Sequence, residues 1–114
     1  MEARIIRITR KSEFAYAARR LAVMVDGNRI GFVGNGKTAD FELPPGRHDV
    51  WVSLDWVRSR ACQVDMSEPA LVELKTKLSG GFLGAVVKPY YNPHGTYELS
   101  IVAVRKGEYF RPAN

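Results

Sequence analysis

The stretch LAVMVDGNRIGFVGNGKTADFELPPGRHDVWVSLDW, residues 21–56, decides the fold. Apolar and polar residues alternate along it, and DGN, GNG and PPG interrupt the alternation at regular intervals. A period of two is typical of half-buried β-strands, and clusters of Gly, Asn and Pro are typical of tight turns. The Asp26-Gly27 pair favours a hairpin, because both central residues of a type I′ turn have positive φ. We therefore expect short antiparallel strands here.

The regions on either side of this stretch add further strands. Residues 61–66 and 70–77 alternate in the same way, and the Ser-Glu-Pro sequence between them predicts a hairpin. The first and last strands are predicted over residues 3–9 and 97–104. About eight strands at this spacing predict an all-β fold, an antiparallel Ig-like β-sandwich that forms one domain over residues 1–114.

The same alternation predicts which residues face the core. Ile30 and Phe32 are expected to point inward, and Trp56 continues the alternation of the most regular strand. Cys62 alternates with apolar neighbours and is expected to be a small core residue. Residues 12–20 do not alternate, and they fit either a short helix or a loop that covers the sheet.

The composition is that of a globular protein with an excess of basic residues. Of the 114 residues 46% are hydrophobic, and the net charge is +5. Residues 1–20 contain six basic and two acidic residues, and the same balance recurs from residue 75 onward. Basic ends suit an acidic partner, such as nucleic acid, anionic lipid or an acidic protein.

Several classes of protein are excluded by what the sequence lacks. A single cysteine rules out a disulfide scaffold and a thiolate metal site within one chain. The first residues do not resemble a secretory signal, and the longest apolar run, residues 82–87, is far shorter than the ~20 residues that cross a bilayer. We therefore expect a cytoplasmic protein with no cofactor, no metal and no transmembrane segment.

Part of the central stretch resembles small bacterial PEGA-type modules, over about 30 of the 114 residues. The shared outline is a V-D-G turn, a Gly-centred second turn and an aromatic-x-Leu-Pro-Pro-Gly-x-His strand. PEGA-type modules are Ig-like β-sandwiches, so the resemblance implies that fold and, because it consists of turn residues, no particular site. The matching residues are Val25, Asp26, Gly27, Gly31, Phe41, Leu43, Pro44, Pro45, Gly46, His48 and Val50.

The chain is also similar, more loosely, to bacterial proteins of its size that have no assigned activity. Those proteins begin with a basic strand, carry an Asp-Trp pair after the Pro-Pro-Gly strand, and place an apolar segment before a C-terminal strand. Arg7, Asp55, Trp56, Ser59 and residues 82–87 occupy these places here.

The first candidate interaction surface is the corner around the Asp-Trp pair. Trp and Arg are enriched at binding hot spots, and both residue types cluster here. In the alternative interpretation Trp56 fills the core and Asp55 pairs locally with Arg58. The candidate residues are Trp51, Asp55, Trp56, Arg58 and Arg60.

The second candidate is the apolar and aromatic segment 82–91, with Phe82, Leu83, Tyr90 and Tyr91. Such a segment suits a protein or dimer interface, or shallow contact with a membrane surface. It equally suits a loop that folds over the open end of the sandwich.

The third candidate is an anion-binding patch near the N-terminus. Phe14 and Tyr16 lie between basic residues, an arrangement that single-stranded nucleic-acid binders use for stacking and phosphate contacts. Three of the arginines recur every three residues, so they do not share one strand face. The six basic residues are Arg4, Arg7, Arg10, Lys11, Arg19 and Arg20.

The sequence predicts no catalytic residue. It contains no Gly-rich phosphate loop and no serine nucleophile elbow. An active site would require His48, Asp49 and the Asp55 corner to converge in one cleft, and His48 is more simply a packed or turn-bonding residue. We therefore predict a non-enzymatic module that acts through protein–protein contact and self-associates. The alternative is a basic surface that binds nucleic acid or anionic lipid.

Overall fold

The computed structural model describes residues 3–80 and 92–106, and within them it is an all-β protein without an α-helix. Nine strands form a four-stranded and a five-stranded sheet, and a 3-10 turn at Pro93–Gly95 precedes the last strand. The strands are β1 (Arg4–Arg10), β2 (Leu21–Val25), β3 (Asn28–Val33), β4 (Thr38–Glu42), β5 (Arg47–Leu54), β6 (Val57–Arg58), β7 (Cys62–Asp65), β8 (Ala70–Leu78) and β9 (Tyr97–Lys106).

The first sheet has the strand order β4-β1-β8-β9 and is mixed. β1 and β8 run parallel, with Ile6 opposite Val72 and Ile8 opposite Leu74. The prediction of an antiparallel fold throughout is therefore wrong. The hairpin predicted between β7 and β8 is also wrong, because β7 pairs with β5 in the second sheet and the chain then crosses to β1.

The second sheet has the order β3-β2-β5-β6, and β7 also pairs with β5. The predicted β2–β3 hairpin is confirmed, since Asp26 and Gly27 have φ values of 51° and 85°. β5 ends at Leu54, and Asp55, with φ 53°, starts a two-residue turn into β6. Trp56 therefore lies in a turn and is 65% exposed, so the alternative interpretation that it fills the core is wrong.

One hydrophobic core takes side chains from both sheets, and the predicted inward faces of β1, β2 and β5 are confirmed. Burying each of these aliphatic side chains stabilises the fold by roughly 1.5–3 kcal/mol. The core includes Ile6, Ile8, Leu21, Val23, Val50, Val52, Val64, Val72, Leu74 and Tyr97.

The predicted inward face of β3 is wrong. Ile30 and Phe32 are exposed, and Gly31 lies opposite Val23 on the side of the core. A Cβ atom at Gly31 would lie 2.5 Å from Cε1 of Phe41, so the phenyl ring from β4 fills the space that a β3 side chain would occupy. Gly31 is thus a packing glycine within a strand, whereas the resemblance placed it in a turn.

Residues 12–20 form a loop, so the helix alternative is wrong. Arg10, at the end of β1, is almost fully buried and donates to the carbonyl oxygens of Tyr16, Arg19 and Val33. Tyr16 packs against the core while Phe14 is exposed. The loop thus owes its shape to a buried guanidinium rather than to helix formation.

Candidate functional site

The outer side of the second sheet carries a group of stacked cations and rings, which we call the arginine–aromatic face. Its rings belong to Phe32 on β3 and Trp51 on β5. Three guanidinium groups, from Arg20, Arg29 and Arg58, lie over these rings. The corner predicted around Trp51 and Arg58 is thus part of a larger surface that extends to β3.

The strand register brings these residues to one side. Phe32 lies opposite Ala22 and Arg29 lies opposite Met24, on neighbouring positions of the same face. Met24 lies opposite Trp51 on the other side of β2. Phe32 and Trp51 are therefore two strands apart, roughly 10 Å across the sheet.

The stacking distances fall in the range of cation–π contacts. The Arg20 and Arg29 Cζ atoms lie 4.4 Å and 5.1 Å from the Phe32 ring centroid. The Arg58 Cζ atom lies 4.2 Å from the Trp51 ring centroid. Guanidinium groups within about 6 Å of a ring centroid are attracted by its quadrupole. In the part of the chain that the structure describes, Arg20 and Arg29 form no ion pair, so their N–H groups are available to an anion.

A groove of about 410 Å³ lies beside these stacks, between Phe32 and the β5–β6 turn. At its rim Arg19 donates to both carboxylate oxygens of Asp55, with Nη1–Oδ2 3.2 Å and Nη2–Oδ1 2.9 Å. This hydrogen-bonded ion pair raises the pKa of Arg19. The local Asp55–Arg58 pair considered above is therefore wrong, because Arg58 packs on Trp51 instead.

A second surface is the free side of the last strand, the β9 edge. β9 pairs with β8, and a parallel bridge from Ser59 to Tyr97 lies at the start of its other side. Beyond that bridge, no strand within residues 3–80 and 92–106 pairs with this side of β9. The exposed fractions of Ile101, Val102 and Val104 are 41%, 60% and 51%. No interaction role was predicted for β9, although its Ile-Val-Ala-Val run indicates an apolar strand.

The six basic residues predicted as an anion-binding patch do not come together. Arg10 is buried, and Arg7 pairs with Asp40 at 2.8 Å on the outer side of the first sheet. Arg4 donates to the Met66 and Ser67 carbonyl oxygens. Arg19 and Arg20 lie beside the arginine–aromatic face, while Lys11 is exposed after β1.

Other predicted interaction residues also lie apart. Arg60 is exposed and lines a separate cavity of about 330 Å³ together with Asn92 and Leu99. The predicted segment 82–91, with Phe82, Leu83, Tyr90 and Tyr91, lies outside the described residues, and nothing in the structure bears on it. Cys62 is half-buried against the core, and burial raises the pKa of its thiol.

His48 joins two turns. Its Nδ1 lies 2.6 Å from Asp26 Oδ2 and its Nε2 lies 2.8 Å from the Pro44 carbonyl oxygen. A carbonyl oxygen and a carboxylate are both acceptors, so this geometry fits an imidazolium with two N–H donors. The hydrogen bond to Asp26 raises the pKa of His48 and lowers that of Asp26. The predicted turn-bonding role is confirmed.

The groups that an active site would have needed do not converge. His48 lies on the inner side of β5, whereas Asp49 follows on its outer side. Asp55 lies beyond the far end of the strand, roughly 20 Å away at 3.3 Å per residue. Among the described residues no group of three His, Cys, Asp or Glu side chains could hold a metal ion. No helix in the described part is long and apolar enough to cross a membrane.

The fold and its surfaces define an all-β protein of one mixed and one antiparallel sheet, with a cation–aromatic face and an apolar edge strand. In comparisons with known proteins, no family model matches this chain, and neither a curated protein nor a solved structure matches it.

Proposed function

We propose that this protein is a non-enzymatic interaction module that acts through protein–protein contact, and that its first partner is a second copy of itself joined at the β9 edge. The observation that carries the proposal is the exposed apolar run Ile101, Val102 and Val104 on a strand that, among the described residues, has no second strand partner beyond the bridge at Tyr97. An apolar edge strand of this length is a ready template for pairing with another strand.

The charges along β9 favour one arrangement of the two copies. Glu98 precedes the apolar run, and Arg105 and Lys106 follow it. In an antiparallel pair about a two-fold axis between Ile101 and Val102, Glu98 of each copy lies opposite Arg105 of the other. Arg105 also contacts Glu73 of its own strand neighbour at 3.4 Å, but its side chain is largely exposed and can reach a partner.

The register of β9 against β8 supports this arrangement. A bulge between Ala103 and Ile101 reverses the alternation along β9. Glu98 and Arg105 therefore lie on the same face of the strand despite their odd spacing, and so do Leu99 and Val104. Residues that face each other across an antiparallel pair must share a face, and this register meets that condition.

Light scattering across a concentration series tests the proposal. We expect a dimer at micromolar concentration and a monomer for Val102→Lys. Ile30→Lys is the matched control, since Ile30 is an exposed apolar residue on β3, an edge strand of the other sheet. A wild-type monomer, or equal dissociation by the two variants, would overturn the proposal.

Charge reversal tests the register. We expect Glu98→Arg and Arg105→Glu each to weaken the dimer, because each places like charges across the axis. The double variant restores opposite charges and should dimerise like the wild type. Failure of the double variant to recover would reject this register and leave only a less specific apolar contact.

We also propose that the two sheets form an Ig-like sandwich of the PEGA type, which provides the rigid support for both surfaces. The positive φ values at Asp26, Gly27 and Gly46 support this proposal, and so does His48, which bridges the V-D-G and Pro-Pro-Gly turns. Backbone amide contacts between β1 and β8 in solution test it. Antiparallel contacts between these two strands would contradict the arrangement.

A further inference from the structure

The residues of the arginine–aromatic face take no part in the proposed dimer. It lies on the second sheet, whereas the β9 edge belongs to the first sheet. Its cations stack on rings instead of pairing with carboxylates. A surface with two aromatic platforms and three guanidinium groups suits a ligand that offers planar groups and negative charge together.

Single-stranded nucleic acid has that combination. Bases stack on aromatic side chains and on guanidinium planes, while phosphates accept from guanidinium N–H groups. The groove of about 410 Å³ beside Phe32 is within the range of small-ligand sites, so it can admit a base. Duplex nucleic acid keeps its bases stacked inside, where a sheet face cannot reach them.

The electrostatics of the face agree with this ligand. The only carboxylate at the groove, Asp55 in the described part of the chain, is occupied by both Nη atoms of Arg19. Arg20, Arg29 and Arg58 form no ion pair with any carboxylate among the described residues. An acidic peptide would meet the same charges, but its carboxylates would not use the two rings.

We propose that the arginine–aromatic face binds single-stranded nucleic acid. Bases stack on the cation–ring pairs at Phe32 and Trp51, and the N–H groups of Arg20, Arg29 and Arg58 contact phosphates. The two ring-bearing positions are two strands and two residues apart, about 12 Å on the diagonal, which spans more than one nucleotide, so the bound strand crosses β2 between two stacked bases. The site is independent of self-association.

Fluorescence anisotropy with a labelled oligothymidylate of about 12 nucleotides tests the proposal. We expect binding whose logarithmic salt dependence has a slope of about −2, because three phosphate contacts on a single strand each contribute about −0.7. Replacing Arg20, Arg29 and Arg58 with Gln should remove that slope and weaken binding at least ~tenfold at low salt.

The matched control removes the same charge elsewhere. Lys11, Lys75 and Lys77 are exposed outside this face, and their replacement by Gln should change affinity by less than about threefold. Phe32→Leu tests stacking, with an expected loss of at least ~fivefold and an unchanged salt slope. In a Trp56→Phe background, quenching of Trp51 fluorescence reports base contact directly.

Four outcomes would overturn the proposal. They are no binding by the wild-type protein at low salt, an equal loss in the lysine control, no effect of Phe32→Leu, and polyglutamate binding as tight as that of the oligonucleotide. The last result would assign the face to an acidic protein. Because the β9 variant Val102→Lys leaves the face intact, failure of the dimer proposal is distinguishable from failure of this one.

Discussion

Two buried hydroxyl groups, from Thr76 and Tyr97, lie on the inner side of the first sheet, and their removal should change the free energy of unfolding in opposite directions. Thr76 Oγ1 donates to the Glu98 carbonyl oxygen at 2.7 Å. Among the described residues no group forms a hydrogen bond with the Tyr97 hydroxyl. Burial raises the pKa of Tyr97 to about 12, against the lowering effect of the nearby Arg10 guanidinium, whose Nη1 and Nη2 atoms donate to backbone carbonyl oxygens.

The free energies follow from these contacts. A buried hydroxyl without a partner costs about 1–3 kcal/mol of desolvation. Tyr97→Phe keeps the ring and removes that cost, so the free energy of unfolding should rise by about 1 kcal/mol, or about 4 °C in Tm. Thr76→Val keeps the shape but removes a satisfied donor, so the free energy of unfolding should fall by about 1–2 kcal/mol.

Urea unfolding followed by circular dichroism measures both changes, provided that the variants share the wild-type m value. The phenol stays neutral far above physiological pH, so the gain from Tyr97→Phe should be the same at neutral pH and at about pH 9. A loss of about 1 kcal/mol or more for Tyr97→Phe would show that the hydroxyl has a partner and would refute the reasoning. An unchanged free energy of unfolding for Thr76→Val would refute the reasoning about the Thr76 hydroxyl.

Three further changes should be visible in the same unfolding measurements. Because His48 has a raised pKa in the folded state, its contribution to the free energy of unfolding is complete below the usual pKa of 6.5 and is lost as pH rises through the folded-state pKa. His48→Gln should abolish this decline in stability above pH 6.5. Gly31→Ala should destabilise the protein by about 1–3 kcal/mol because its methyl group meets the Phe41 ring, whereas an unchanged stability would show that the ring moves freely. Ser59→Ala should cost about 1–3 kcal/mol because its hydroxyl accepts from a buried β5 amide, and the absence of any loss would mean that the amide finds another acceptor.

The edges of the elements were largely predictable, because turns depend on local chemistry. Asp26-Gly27 required positive φ and formed a hairpin, and the alternation around Leu21 and Val50 set the inward faces. The inward face of β3 was not predictable, since Phe41 from another sheet fills the space above Gly31. The alternative interpretation that placed Trp56 in the core was wrong for a related reason, because the alternation along β5 does not show that the strand ends at Leu54.

The candidate sites show the same division. Trp51 and Arg58 were identified from residue type, and they do meet in a stack. Phe32 and Arg29 were missed, because they reach that surface only through the pairing of β3 with β2. The N-terminal arginines were grouped because they are close in sequence. In the structure Arg7 lies on the outer face of β1, whereas Arg10 is buried at the end of the strand.

The sequence by itself determined the strand content, the turns and the basic character of this protein, because each depends on residues that are neighbours along the chain. The tertiary structure alone decided the parallel pairing of β1 with β8, the exposure of the β9 edge and the assembly of the arginine–aromatic face. Each of these depends on which strands become neighbours in a sheet. Strand neighbours are determined by how segments far apart in sequence bury one shared core, and a local sequence pattern does not predict this.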